Sequence, residues 1–338
     1  MLAGILAGIT WAVATYVLTL ATEMEIFSAE SLIFVTLVST FIHDASSAIW
    51  ATLYNTVKGN IKNVWNALIK TKSGKWVVIA ALIGGPIGMT GYVMSVTYMG
   101  AAIGAVASAI FPAIGSVLAY IFLKEKMKWY QWVFLAITIL GVYGLSFDGS
   151  LSGTNYWLGI LGALMCSFGW GIEAVILAKC LKDPEVKDEY ALQIRQTTSA
   201  LTYGIIILPV IKGWEFTSSL FKGENTVSFS KIAVGEAFSG FEIIVGCLPV
   251  IILAGLFATI SYLYYYKAIS RIGASKAMAL NVTYVAWIAL IPLALVLFGG
   301  VMPTYSMPQI FCTATVLICG VFAAADVKEL FASKKSSQ

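Results

Sequence analysis

The chain has 338 residues, 59% of them hydrophobic and only 11% charged, with a formal net charge of +4. A soluble globular domain carries about 25% charged residues, so this composition excludes one and indicates a chain whose surroundings are lipid. The five cysteines (Cys166, Cys180, Cys247, Cys312 and Cys319) lack metal-ligand or disulfide-framework spacing, and there is a single histidine. No metal, cofactor, nucleic-acid partner or enzymatic activity is therefore expected.

Apolar runs of about twenty residues, each able to cross roughly 30 Å of hydrocarbon as a helix, predict spans near 2–21, 31–51, 76–99, 101–123, 130–147, 157–179, 197–211, 247–268, 273–298 and 308–325. No alternating pattern runs far enough for a barrel. The first run starts at Met1 without a basic region or a small-residue cleavage site, and reads as a span and not a removable signal. The seventh is short and opens on the polar run Gln193 to Ser199. In residues 52–75, Leu53, Val57, Ile61, Val64, Trp65 and Leu68 recur at helical spacing against lysines. That suits a helix lying on anionic membrane lipid, and equally an extension of the second span. Residues 213–241 form a longer connection, and 327–338 a tail.

Basic residues set the orientation. Lys58, Lys62, Lys70, Lys72, Lys75, Lys124, Lys126, Lys128, Lys179, Lys182, Lys187, Arg195, Lys267, Arg271, Lys276, Lys328, Lys334 and Lys335 fall on one side, eighteen of 21. Lys212, Lys222 and Lys231 fall on the other, among acidic residues that include Glu23, Glu25 and Glu30. Both termini are expected in the cytoplasm, of a bacterial-type inner membrane. An even number of spans follows.

The expected fold is an all-α membrane protein of ten transmembrane helices, arranged as two inverted five-helix repeats over 1–150 and 151–326. Aligning Trp11 with Trp170 sets Leu2 on Leu161 and Leu18 on Leu177; aligning Ala102 with Ala274 sets Tyr92 on Tyr264. Five is odd, so the second half enters from the opposite side, the usual design of secondary transporters with a midplane site. The small-residue stretch Gly100 to Ser108, together with Gly84, Gly85, Gly88 and Gly91, lets helices approach closely. No phosphate-binding loop is present, so ATP is not a direct energy source.

Glu173 lies one turn after Trp170 inside an apolar run. A carboxylate in hydrocarbon is costly and marks a functional site by default; beside an aromatic ring on the same face it suggests half of a cage for an organic cation. His43 and Asp44 form a second polar pair about two-thirds along the second span, for proton coupling or cytoplasmic gating, although neighbours on a helix point about 100° apart. Arg195 and Gln196 open the seventh span and are expected at a phosphate or in an interhelical bond. Trp11, Trp170 and Trp287 sit mid-span, where an interfacial belt does not account for them. Tyr284 and Trp287 share a face with Asn281 one turn earlier, and one or two of Tyr262, Tyr264, Tyr265 and Tyr266 face inward. Each of these aromatics taken singly is equally well explained by core packing.

Ser108-Ala-Ile-Phe-Pro112, then Leu123-Lys-Glu125 and a fifth helix bearing Gly141, resembles the repeat signature of the EamA-like branch of the drug/metabolite transporter superfamily. In the second half Tyr284 stands in place of the repeat proline and Phe298-Gly-Gly in place of the acidic motif, which leaves Glu125 a structural role. His43-Asp44, Gly85-Pro-Ile-Gly-Met89, Gly169-Trp-Gly-Ile-Glu173, Ala191-Leu-Gln-Ile-Arg-Gln196, Ile260-Ser-Tyr262 with Tyr265-Tyr266, and Leu280-Asn-Val-Thr-Tyr284 through Trp287 resemble the Lic-type bacterial choline transporters within it. The resemblance implies uptake of choline or a related amine through an aromatic pocket formed by Trp11, Trp170, Glu173, Tyr265, Tyr284 and Trp287. Asn281 and Tyr92 join as candidate binding residues, and Glu173, His43 and Asp44 as candidates for coupling or gating. A homodimer is left open. The rivals are an exporter of amino acids or related metabolites, which needs a mid-membrane cation that the sequence does not display, and a proton-coupled exporter of cationic compounds.

Overall fold

The computed structural model describes residues 1–99, 109–146, 155–221, 226–228, 244–300 and 302–325. The start of the fourth expected span with the Gly100 to Ser108 stretch, much of the 213–241 connection and the 327–338 tail lie outside them. Among the described residues, ten helices make up the bundle, seven of them long and apolar enough to cross a membrane, with a bent pair as an eighth and two shorter apolar helices. They are α1 (Leu2–Thr22), α2 (Leu32–Val57), α4 (Lys72–Met99), α5 (Phe111–Leu123) and α6 (Trp129–Ser146) in the first half. In the second half they are α7 (Tyr156–Cys180), α8 (Asp188–Val210), α10 (Cys247–Ile272), α11 (Ala274–Phe298) and α12 (Met307–Ala324). Two short helices stand apart: α3 (Ile61–Lys70) between α2 and α4, and α9 (Gly213–Leu220), bent 118° from α8. A small antiparallel ladder pairs β1 (Thr226–Ser228) with β2 (Ile244–Gly246).

Local sequence accounts for many of the boundaries. Ser31, Thr71 and Asn155 each cap a helix by accepting a hydrogen bond from a backbone N–H in the first turn, and Ser306 with Gln309 forms a reciprocal capping box on α12. Gly273, at φ +87°, closes α10 and opens α11 in a conformation that suits only glycine comfortably. Residues 52–75 hold both an extension of the second span and a separate short helix. Helix α2 runs on to Val57, and α3 then turns Val64 and Ala67 into the bundle while Trp65 stays 62% exposed. Exposed apolar side chains such as Leu140, Leu161 and Ile205 cover the outside, as expected where hydrocarbon is the solvent.

The packing has a two-fold pattern. Helix α1 packs on α10, and its repeat counterpart α7 packs on α4; α2 meets α10 as α8 meets α4; α5 meets α7 as α11 meets α1. The remaining major pairs, α2 with α8, α5 with α11 and α6 with α12, each join a helix to its own counterpart and so straddle the axis. This is the arrangement of two inverted five-helix repeats. Their shared interface runs through the centre of the bundle.

Candidate functional site

Glycine sets the geometry where α4 crosses α7. A Cβ on Gly91 would stand 2.6 Å from the Gly162 carbonyl oxygen, and one on Gly169 would stand 2.9 Å from the Gly88 Cα. Only glycines let the two backbones meet so closely. In the middle of α4, Pro86 lacks the N–H that would continue the helical ladder, and the chain widens into a π turn over Ile83–Ile87. Turns of this kind are often found at functional sites. The Gly84 carbonyl there accepts a hydrogen bond from Trp170 Nε1 at 3.0 Å. Gly84 also makes room for Glu173, whose carboxylate a Cβ would strike.

At this crossing four helices bring charged and polar groups together. Arg195 on α8 donates from Nε to Glu173 Oε1 on α7 at 2.9 Å and from Nη1 to Asp44 Oδ2 on α2 at 3.4 Å. Nη1 also contacts Gln196 Oε1. Asp44 accepts from Ser199 Oγ at 2.6 Å, and its Oδ1 lies 3.0 Å from His43 Nδ1. Below them Gln196 Nε2 donates to Ser47 Oγ at 2.6 Å, which pairs with Thr259 Oγ1 on α10 at 2.8 Å. All of these side chains are buried. Ions so far from water persist only when paired and hydrogen-bonded. Counted as ionised, two carboxylates face one guanidinium; with His43 neutral, the cluster retains one negative charge.

Above this cluster is a cavity of about 760 Å³ that reaches Thr22, Glu23 and Glu30 at the α1–α2 connection. Seven aromatic rings line its inner part, those of Trp11, Tyr92, Phe111, Trp170, Tyr262, Tyr265 and Tyr284, with Asn281 among them. Trp11 packs edge-on to Tyr262 at 5.2 Å, Tyr92 and Phe111 flank Trp170 at 5.9 and 5.5 Å, and the Arg195 guanidinium lies 4.9 Å from the centre of the Tyr262 ring. The opposite end of the bundle is shut by polar contacts. Asn55 donates to the Glu189 carbonyl at 3.1 Å and Tyr190 donates to Asn60 at 3.2 Å. Glu125, after α5, receives the N–H groups of Ala274 and Ser275 and the Ser275 hydroxyl at 3.0–3.1 Å. Glu125 therefore caps α11 across the repeat interface.

Of the residues singled out from sequence, the structure brings Trp11, Tyr92, Trp170, Glu173, Tyr265, Asn281, Tyr284, His43 and Asp44 to one cavity. Trp287 is not among its lining residues. It packs instead beside Gly8 of α1, and its buried Nε1 has no partner among the described residues. Tyr262 and Tyr265 both face the cavity, while Tyr266 is buried behind them. The expected positions of Arg195 and of the His43–Asp44 pair are corrected. Helix α8 begins at Asp188, nine residues before the expected 197, so Arg195 lies well inside it and not at an interface. A cation does therefore stand inside the bundle, which removes Arg195 from the orientation count. His43 and Asp44 do touch despite being neighbours on one helix. Because α2 extends to Val57, they sit near its middle and not towards its inner end. The signal for Arg195 was present: Arg195 and Ser199 lie at i and i+4, on one face of the helix.

Three comparisons bear on this architecture. Residues 1–147 match the model of the EamA-like transporter family. Protein LicB of Haemophilus influenzae is 25% identical over 209 residues, 62% of this chain and 63% of LicB, so the match spans less than two-thirds of that relative's length. A protein of known crystal structure, 16% identical, shares the fold over 99% of this chain and 98% of its own, with a TM-score of 0.62. The chain is thus a multi-pass membrane protein whose residues 1–147 are similar to the EamA-like transporter family.

Proposed function

We propose that this chain is a secondary transporter that takes up a small organic cation, choline or a close relative, by alternating access across a bacterial-type inner membrane. The observation that carries the proposal is a cavity at the repeat interface lined by several aromatic rings, with two carboxylates, Glu173 and Asp44, sharing one guanidinium at its floor. A quaternary ammonium has no hydrogen to donate and no proton to lose. It is recognised by ring faces and a diffuse countercharge, with desolvated cation–π contacts giving roughly 2 kcal/mol each. Trp11, Trp170, Tyr92, Tyr262, Tyr265 and Tyr284 supply rings, and Glu173 with Asp44 supplies the countercharge. A cavity of about 760 Å³ is within the roughly 300–1,000 Å³ range of small-molecule sites. The resemblance to the choline transporters supports the same substrate class.

With both termini in the cytoplasm, the cavity mouth beside Glu23 and Glu30 faces outward and the Glu125 and Asn55 contacts close the inner end. Rocking the repeats about α2, α8, α5 and α11 would exchange the two openings. A potential of about 100 mV supplies roughly 2.3 kcal/mol per charge moved inward, which at about 1.4 kcal/mol per tenfold sustains near fifty-fold accumulation without a proton. Protonation of Glu173 or His43 would add coupling.

The rival reading, export of amino acids or related metabolites, is favoured by Arg195 at the cavity floor. Against it, the guanidinium is already held by Glu173 and Asp44. The test is thermal stabilisation of the purified protein by choline, with betaine, ethanolamine and tryptophan beside it, since a ligand of the folded state raises apparent stability by mass action. Choline is expected to stabilise the wild type and not Trp170→Ala or Glu173→Gln. Stabilisation by tryptophan and not by choline would overturn the substrate and favour the rival.

A further inference from the structure

Arg195 stands where a substrate cation would. Its Nε holds Glu173 Oε1 at 2.9 Å, and its guanidinium carbon lies 4.9 Å from the centre of the Tyr262 ring, which itself packs on Trp11 at 5.2 Å. One carboxylate and one ring face are what a quaternary ammonium requires, and here a side chain of the protein occupies both. Its contact with the second carboxylate is longer, although the same nitrogen, Nη1, also donates to Gln196 Oε1. Nη1 reaches Asp44 Oδ2 at 3.4 Å, against about 2.7–2.9 Å for a close charge-assisted bond. Asp44 is meanwhile fixed by His43 and Ser199. The guanidinium is therefore shared unequally between two carboxylates from different repeats, firmly with Glu173 on α7 and loosely with Asp44 on α2.

We propose that Arg195 is a tethered occupant of the cation site, a specificity-determining residue that an incoming organic cation displaces from Glu173 and Tyr262 onto Asp44. This rests on the organic-cation reading above. The displaced guanidinium closes the gap to Asp44, so both carboxylates are satisfied once the substrate is bound: two positive charges meet two negative ones. In the empty cavity the arginine keeps Glu173 from being a bare buried charge. The neighbouring Gln196 is bonded to Ser47, and Ser47 to Thr259. A shift of Arg195 therefore reaches α2 and α10 directly, and substrate occupancy bears on the helices that must rock. A molecule without positive charge gives the arginine no reason to leave Glu173, which selects cations.

A tethered occupant lowers apparent affinity by the fraction of time it fills the site; at about nine-tenths occupancy the loss is about tenfold. The test is titration calorimetry of the purified full chain with tetramethylammonium. D44N/R195Q removes one charge of each sign, keeps Glu173 and lacks the occupant, so it is expected to bind about tenfold more tightly than the wild type. R195K, whose ammonium does not span both carboxylates as a guanidinium fork does, is expected to bind more tightly as well. Millimolar guanidinium chloride should compete with tetramethylammonium in D44N/R195Q and not in the wild type, a readout that a merely structural arginine would not move. Equal or weaker binding by folded D44N/R195Q would overturn the proposal and leave Arg195 a structural ion pair. Should that variant fail to fold, equal or weaker binding by R195K overturns it alone. Failure of the wild type to bind tetramethylammonium would appear before any substitution and would bring down the organic-cation reading together with this inference.

Discussion

Replacing Glu125 by alanine removes three hydrogen bonds at one point, those from the N–H of Ala274, the N–H of Ser275 and the Ser275 hydroxyl. Helix α11 begins immediately after Gly273, which has no side chain with which to cap it. Glu125 does that work from the other repeat. Loss of a side-chain cap costs about 0.5–2 kcal/mol, and loss of a negative charge at a helix N-terminus a further 0.3–1 kcal/mol or so. About 2 kcal/mol is expected in total. At roughly 2–4 °C per kcal/mol for a chain of this order of size, the apparent Tm falls by about 4–8 °C. Glu125→Gln retains an acceptor and loses the charge, so its Tm should fall by only about 1–3 °C. The assay is thermal unfolding of the purified protein in detergent followed by tryptophan fluorescence, with the exposed Glu185→Ala as the control. A Tm for Glu125→Ala within about 1 °C of wild type would refute the assignment of Glu125 as the cap of α11. So would a loss in Glu125→Gln as large as in Glu125→Ala.

Three other expectations concern the cavity. Gly84→Ala drives a methyl group into the Glu173 carboxylate, an overpacking worth about 1–3 kcal/mol. It should weaken choline-dependent stabilisation as well as the fold, and an undiminished choline shift would count against the close approach of α4 to Glu173. Trp287→Phe should leave the choline shift intact, because Trp287 does not line the cavity and its Nε1 makes no bond among the described residues. Trp170→Phe, which loses the bond to the Gly84 carbonyl, should reduce it; the reverse ranking would return Trp287 to the pocket. In proteoliposomes at choline concentrations high enough to drive residual uptake through the weakened site, Glu173→Gln is expected to lose whatever pH dependence choline uptake shows in the wild type. An identical pH profile in both would remove Glu173 as a proton carrier and leave His43 as the group to test.

The span count and the inverted arrangement were legible because they follow from one-dimensional properties. Hydrocarbon thickness demands about twenty apolar residues per crossing, and five crossings per half force inversion. Glu173 and the mid-span Trp11 and Trp170 were legible for a related reason, since a charge or an unexplained indole at membrane depth stands out against an apolar background. Glu125 was recognisable as structural, but what it holds was not, because its partners Ala274 and Ser275 are about 150 residues away. Arg195 was misplaced through its helix boundary. A polar opening looks like an interface when only the apolar remainder is counted as the span, whereas α8 is helical from Asp188 and buries its polar face against α2, α4 and α7.

The sequence by itself determined that this is a ten-helix membrane protein with a charged, aromatic centre, because the cost of exposing polar groups to lipid is a property of each segment alone. Only the tertiary structure decided that Tyr262 enters the cavity wall and Trp287 does not, and that Glu173, Asp44 and Arg195 form one cluster. The directions of side chains around a helix wall, and the pairing of charges carried by three different helices, depend on how the two repeats close on one another, and that is set by packing between residues far apart in the chain.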